Sequence, residues 1–256
     1  MADSPRTRRE PPRFRRVFVR GVEFLTPYMA RVTFSGEELT GFTVGQPAAS
    51  VRLLLSTPGE AALVMPTWDG NVFLLPDGER ATIRTFTPQL SDSAAKELGL
   101  DVVIHAAGAA SDWAQQAGQG DPAAISGPGR GYPIDPTATG FVLAGDETAI
   151  PAIGQLLEAL PRDRPVQAMI EVRHPEARMS LSDHPLAIVD WVDLPTDAAP
   201  GDALLEAVAA AVIEPDNRVW AAGEAAAMQR IRRHLFEERD LPRAAATVRG
   251  YWKLRG

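Results

Sequence analysis

Not one cysteine occurs in the 256 residues. Disulfides, thiolate zinc sites, cysteine-ligated iron–sulfur clusters, thioether-attached haem and a cysteine nucleophile are excluded together. Histidine is nearly as scarce: His105, His174, His184 and His234 are scattered, and no two have the spacing that places metal ligands on one helix face. His174 and His184 each precede a proline, which puts them in extended loops. Long apolar runs are missing too. No segment is long enough to span a bilayer, and no apolar stretch follows the arginine-rich start as in a secretory signal, so the expectation is a cytoplasmic protein without membrane insertion. Positive charge is in deficit, and a net charge of −7 argues against a nucleic-acid partner. The exception is the start of the chain, where Arg6, Arg8, Arg9, Arg13, Arg15, Arg16 and Arg20 stand against only Asp3 and Glu10. Residues 1–13 read as a solvated basic tail. Nothing in the sequence reports the oligomeric state.

What is present is the composition of an ordinary soluble globular chain, 45% apolar and 23% charged, long enough for one large or two medium domains. The pattern favours two. From Phe14 to about Ser126 short apolar segments (Val17–Phe24, Met29–Phe34, Ser50–Leu55, Asn71–Leu75, Ile83–Thr87, Leu100–His105) alternate with turn residues such as Thr57-Pro58-Gly59 and Pro76-Asp77-Gly78. Strands this short and this evenly spaced predict a closed barrel, with one short helix around Ser111–Gln116. A seam rich in glycine and proline runs from Gly127 to Thr139. Beyond it, strands at Phe141–Ala144, Val166–Val172, Leu186–Trp191 and Asn217–Ala222 alternate with helical patterns at Ile150–Ala159, Asp202–Ile213 and Ala225–Glu238. That order predicts a parallel doubly wound sheet. The predicted division is 14–130 and 131–256.

Five stretches have the residue types for ligand chemistry. In Arg84-Thr85-Phe86-Thr87, on a predicted strand, alternation puts Arg84 and Phe86 on one face and the threonines on the other. An arginine can fork onto a pyrophosphate and an aromatic can lie on a flat ring. In the stretch from His105 to Ala114, small residues around Gly108 precede Ser111 or Asp112 at a helix start, with Trp113 as an apolar platform. Such a loop lets backbone N–H groups approach an anion. Gly145-Asp146-Glu147-Thr148 and Gly223-Glu224 both end predicted parallel strands and so belong on one edge of the sheet, where α/β folds bind ligands. The last, Arg249-Gly250-Tyr251-Trp252-Lys253, is too aromatic and basic for an idle tail and is expected to dock.

These strings, in this order, resemble the siderophore-interacting protein family, flavin-dependent ferric-siderophore reductases related to ferredoxin–NADP reductases. The resemblance runs from about Phe14 to the end. It rests on Arg84-Thr85-Phe86-Thr87, on Ile104-His105 with Gly108 and Trp113-Ala114, on Gly127-Pro128-Gly129-Arg130-Gly131, on Gly145 to Ile153, on Ala222-Gly223-Glu224 and on Gly250-Tyr251-Trp252-Lys253. It implies a six-stranded antiparallel FAD-binding β-barrel followed by a Rossmann-like parallel-sheet domain for NADH or NADPH. Carried over residue by residue, Arg84, Thr85, Phe86, Thr87, His105, Gly108, Ser111, Asp112, Trp113 and Ala114 belong to the FAD site. Asp146, Glu147, Thr148, Gly223 and Glu224 line the nicotinamide side, and Arg52, Arg130 and Lys253 grip an anionic ferric siderophore.

Departures from the family pattern are Phe86 for tyrosine, Gln89 for arginine, Ala109 for proline, and Gly129 lengthening the interdomain turn. No catalytic nucleophile and no protein-bound metal are expected. The reductant is open between NADH, NADPH and a ferredoxin, with Arg173 and Arg178 as candidates for a 2′-phosphate. The siderophore class is open as well. The alternatives are a general flavin reductase or diaphorase, and a siderophore-binding module without turnover.

Overall fold

The computed structural model describes residues 13–56, 62–106 and 108–254. The basic tail through residue 12 and the Thr57-Pro58-Gly59 turn lie outside them. The first half comprises β1 (Phe14–Thr26), β2 (Met29–Ser35), β3 (Val51–Leu55), β4 (Thr67–Trp68), β5 (Phe73–Leu74), β6 (Ile83–Phe86), β7 (Pro88–Asp92), β8 (Glu97–Val103), a two-turn helix α1 (Ala109–Gln116) and β9 (Pro122–Ser126). Seven of the strands form one antiparallel sheet in the order β6-β3-β9-β1-β2-β8-β7. β6 and β7 are one path of chain interrupted only at Thr87, so the two ends of that order meet. The sheet thereby closes into the expected barrel of six strand paths, which removes its free edges.

Alternation fills the barrel. Val17, Val19, Val32, Phe34, Leu53, Leu98, Leu100 and Ile125 point into one buried cluster. Helix α1 plugs it, with Trp113 stacked on Phe34 at a centroid distance of 6.0 Å. On the opposite face of β2 and β8, Arg31 stands directly across from Asp101 and donates through Nε (2.7 Å) and Nη2 (2.9 Å) to its buried carboxylate. Asp101→Ala should cost about 2–3 kcal/mol, because it strands a partly buried guanidinium. Urea denaturation of the two proteins checks this, and Asp101→Asn should lose less.

The second half comprises β10 (Gly140–Gly145), α2 (Ile150–Ala159), β11 (Val166–Val172), β12 (Ala187–Asp193), α3 (Asp202–Ala210), β13 (Asn217–Glu224), α4 (Ala225–Arg233) and β14 (Ala246–Trp252). All five strands are parallel, in the order β12-β11-β10-β13-β14. The strand order reverses between β10 and β13, the position at which open α/β sheets bind ligands. Helix α2 covers one face through Ile153, Leu156 and Leu157, and α3 and α4 cover the other through Leu204, Val208, Met228 and Ile231.

Three elements differ from the sequence expectation. β9 is a barrel strand built of Pro122-Ala123-Ala124-Ile125-Ser126, whose small residues hide a fully buried strand between β1 and β3. β7 follows Thr87 where no strand was expected. The C-terminal aromatic stretch is not a docked tail but the fifth parallel strand. The link from β11 to β12 carries a 3₁₀ turn, Pro175–Ala177, and no α-helix, in agreement with the two consecutive strands expected there.

Candidate functional site at the barrel–sheet seam

The two halves share packing. Met29 and Ala48 of the barrel half lie in the same buried cluster as α2 and the sheet. Polar clamps fix the relative placement. Gln155 of α2 accepts from the Ala48 N–H (2.9 Å) and donates to the Pro88 carbonyl, and Gln89 donates to the Pro151 carbonyl at 3.1 Å. Gln89 is therefore spent on the seam. Tyr28 stacks on His174 with ring centroids 4.3 Å apart.

Arg84 and Phe86 share the inner face of β6, opposite Leu53 and Val51, as alternation predicted. The Arg84 guanidinium bonds only the carbonyl of its neighbour Ile83 (3.0 Å), which leaves most of its donors uncommitted among the described residues. Thr85 lies on the outer face, exposed, beside Arg52. Thr87 does not share that face. It is buried at the break between β6 and β7. Burial pushes the Tyr251 hydroxyl above its ordinary value, and the nearby Thr87 side chain pulls the other way.

The loop from His105 to Ala114 divides its labour differently from the expectation. His105 is exposed. Ser111 is buried, donating to the His105 carbonyl (2.8 Å) and accepting from the His105 N–H (3.0 Å), so its hydroxyl closes the loop on itself. Trp113 and Ala114 are buried in the barrel core. Trp113 packs into the barrel as the largest ring of an eight-residue amphipathic helix. What the loop offers a ligand is the start of α1. No side chain caps its first turn, Asp112 is exposed with its Oδ2 3.4 Å from the Gly108 N–H, and the His105 ring lies over Gly108. A helix start without a side-chain cap and an arginine with uncommitted donors are each suited to the pyrophosphate of a dinucleotide. The residues present fit FAD.

At the sheet edge the acids are tied down. Asp146 is buried. Its Oδ1 accepts from the N–H (2.9 Å) and hydroxyl of Thr148, and its Oδ2 accepts from the Glu224 N–H (2.9 Å) and the Trp252 indole (2.7 Å). One carboxylate thus joins the ends of β10, β13 and β14. Burial raises the Asp146 pKa above the ordinary carboxylate value, against the pull of these four bonds. Glu224 caps α4, accepting from Ala227 (2.8 Å) and Leu254 (3.2 Å). Burial pushes its pKa up, and the backbone donors outweigh that and leave it lowered. Both carboxylates are engaged in framework hydrogen bonds. Glu147 is half-buried, raised chiefly by burial, and accepts from the Arg173 N–H at 2.6 Å. A Cβ on Gly223 would meet the Asp146 Oδ2 at 2.7 Å, so Gly223→Ala should displace that carboxylate and cost about 1–3 kcal/mol. A thermal melt against wild type checks it.

The candidate cations are Arg52 on the outer barrel face, Arg130 in the exposed turn after β9, and Lys253 just past β14, all exposed. Sequence reasoning missed Arg249, whose guanidinium bonds the Gly131 carbonyl (3.0 Å) and approaches that of Arg130 (3.4 Å). It is the C-terminal cation held against the Arg130 turn, and its place in strand β14 was the signal. Arg173 lies over the Trp252 ring, 5.8 Å from its centroid, whereas Arg178 is paired with Asp193 at 2.5 Å.

Residues 18–132 match the family described as the siderophore-interacting FAD-binding domain, and residues 138–255 match the siderophore-interacting protein family. A siderophore utilization protein from T. fusca superposes with a TM-score of 0.82 at 34% identity, over 95% of this chain and 94% of that one. The NADPH-dependent ferric-chelate reductase of Escherichia coli is 31% identical over 97% of this chain and 96% of its own length. The ferric vibriobactin reductase of Vibrio cholerae is 27% identical over 90% of this chain and 86% of its own. Among the described residues no helix is long and apolar enough to cross a membrane.

Proposed function

We propose that this chain, which belongs to the siderophore-interacting protein family, is an FAD-dependent oxidoreductase whose substrates are ferric siderophores. In this reading NADH or NADPH, or a ferredoxin, supplies the electrons and Fe(II) is released for assimilation. One observation carries the proposal. Gln89, three residues past Phe86, bonds the Pro151 carbonyl at the start of α2, just after the Gly145–Thr148 turn at the sheet's switch point. The strand proposed for the flavin and the crevice proposed for the nucleotide therefore adjoin across the start of α2.

Bound FAD would accept an electron pair from a nicotinamide and pass electrons singly to iron. Oxygen ligands hold Fe(III) much more firmly than Fe(II), so one electron loosens the metal. The chain's own part is placement. Arg84 and the uncapped N-terminus of α1 would hold the pyrophosphate, with His105 and Gly108 beside them, and Phe86 would face the ring system. Glu147 and Thr148 would border the crevice on the nucleotide side, and Gly223 leaves the room that the Asp146 carboxylate occupies. Arg173 is free of a carboxylate partner among the described residues and suits a 2′-phosphate, whereas Arg178 is already paired. Arg52, Arg130, Arg249 and Lys253 would draw an anionic chelate to an otherwise acidic body.

Replacing Arg52 or Arg130 by alanine should raise the KM for an anionic ferric siderophore by up to about five-fold each, with kcat unchanged. Steady-state kinetics at low salt measures this, and an unchanged KM in the double variant contradicts the placement. Parallel titrations of the oxidised flavoprotein with NADH and NADPH decide the donor.

A further inference from the structure

Outside the seam, a cleft of about 260 Å³ opens on the outer face of the barrel between β3, β6 and the β4–β5 hairpin. Arg52, Trp68, Phe73, Arg80 and Ile83 line it. Clefts that enclose whole drug-sized ligands run to roughly 300–1,000 Å³, so this one has room for a single ring and not for a complete siderophore. Its aromatic wall is built in advance. Phe14 of β1 meets Phe73 edge-on at 5.3 Å, and Phe73 in turn packs on Trp68 at 4.8 Å, which braces the hairpin against the barrel.

The cleft is cationic. Among the described residues neither Arg52 nor Arg80 has a carboxylate within ion-pair distance. The acid that faces Arg80 is Asp69, whose Oδ1 already accepts from Asn71 and Val72, both at 2.7 Å. An aryl ring carrying adjacent oxygens would stack on an indole and fork onto guanidinium groups.

We propose that this cleft is a subsite for one aryl arm of a trianionic tris-catecholate ferric chelate, with Trp68 and Arg80 as specificity-determining residues. The proposal rests on the reductase reading and names the substrate class within it. An aliphatic, uncharged trihydroxamate chelate has neither the ring for Trp68 nor the charge for Arg80.

The test uses the FAD-loaded full chain and its Arg80→Gln and Trp68→Leu variants. KM is measured for a ferric tris-catecholate and for a ferric trihydroxamate, alongside quenching of tryptophan fluorescence by the redox-inert gallium tris-catecholate. The expected result is a five- to ten-fold rise in KM for the catecholate, parallel weakening of gallium-chelate binding, and no change with the hydroxamate, with rescue by Arg80→Lys. Equal losses on both chelates, or none on either, would overturn the subsite. Loss of bound FAD in these variants would also overturn it, since the cleft would then serve the cofactor. If wild type reduces no ferric chelate yet binds the gallium complex in a Trp68- and Arg80-dependent manner, the subsite stands and the reductase reading falls. If wild type neither reduces nor binds, both fall.

Discussion

Replacing Asp146 by alanine should destabilise the protein by about 3–5 kcal/mol, since it leaves the Thr148 N–H, the Glu224 N–H and the Trp252 indole without their acceptor at about 1–3 kcal/mol for each buried donor. That is a large share of the 5–15 kcal/mol typical of a folded domain. The loss should concentrate at the C-terminal edge of the sheet. Hydrogen exchange at Glu224 and along β14 should accelerate more than exchange in the barrel. Urea denaturation gives the total, and a loss below about 1 kcal/mol would show that these bonds are easily replaced by water. Asp146→Asn should lose less, because it keeps one oxygen but turns an amide toward donors. The variant also carries a pH signature. Burial raises the folded pKa of Asp146, so on raising the pH the unfolded chain gives up its proton first, near the ordinary aspartate value of about 3.9. The stability this group contributes is complete below that value and declines as pH climbs through the raised folded pKa. Asp146→Asn should flatten that decline, and a wild-type profile of equal slope would contradict the shift.

The second large effect is on cofactor retention. Arg84→Ala should weaken FAD binding by about 10- to 100-fold, the equivalent of about 1.5–3 kcal/mol for a charge-assisted contact. The fold should be undisturbed, because the guanidinium holds nothing but the Ile83 carbonyl. The ratio of flavin absorbance to protein absorbance after gel filtration reads occupancy, and titration of the apoprotein with FAD reads affinity. Arg84→Lys should recover part of the loss, since an ammonium keeps the charge and gives up the fork. Full occupancy in Arg84→Ala would remove this residue from the phosphate site. Trp113→Leu should behave in the opposite way. It should cost stability by hollowing the barrel core while a folded remnant still takes up FAD.

The contrast between those two residues marks how far the sequence could be read. The alternation in Ile83-Arg84-Thr85-Phe86 placed Arg84 and Phe86 correctly because a strand's period of two is a local property. The reversal of strand order that sets Gly145 beside Gly223 followed from the order of strand and helix patterns. The role of Asp146 was not legible, because its partner Trp252 stands 106 residues away and only the packing of β14 against β13 brings it near. β9 escaped because Pro122, Ala123 and Ala124 are weak strand formers, and its two flanking strands impose the conformation. The burial of Trp113 was not legible for a related reason. A large ring at a helix start looks like a ligand platform until the barrel that needs filling is in view. Arg249 was read as part of a tail, and its reach to the Gly131 carbonyl depends on a strand assignment the aromatic residues concealed.

The most direct test of the central claim is anaerobic. The purified flavoprotein is reduced with NADPH or photochemically and mixed in a stopped-flow instrument with a ferric siderophore, in the presence of a colorimetric Fe(II) trap. The account predicts that the oxidised flavin spectrum returns as the Fe(II) complex forms, two iron atoms for each flavin reoxidised. A flavin that stays reduced, with no Fe(II) trapped across catecholate and hydroxamate complexes, would contradict it.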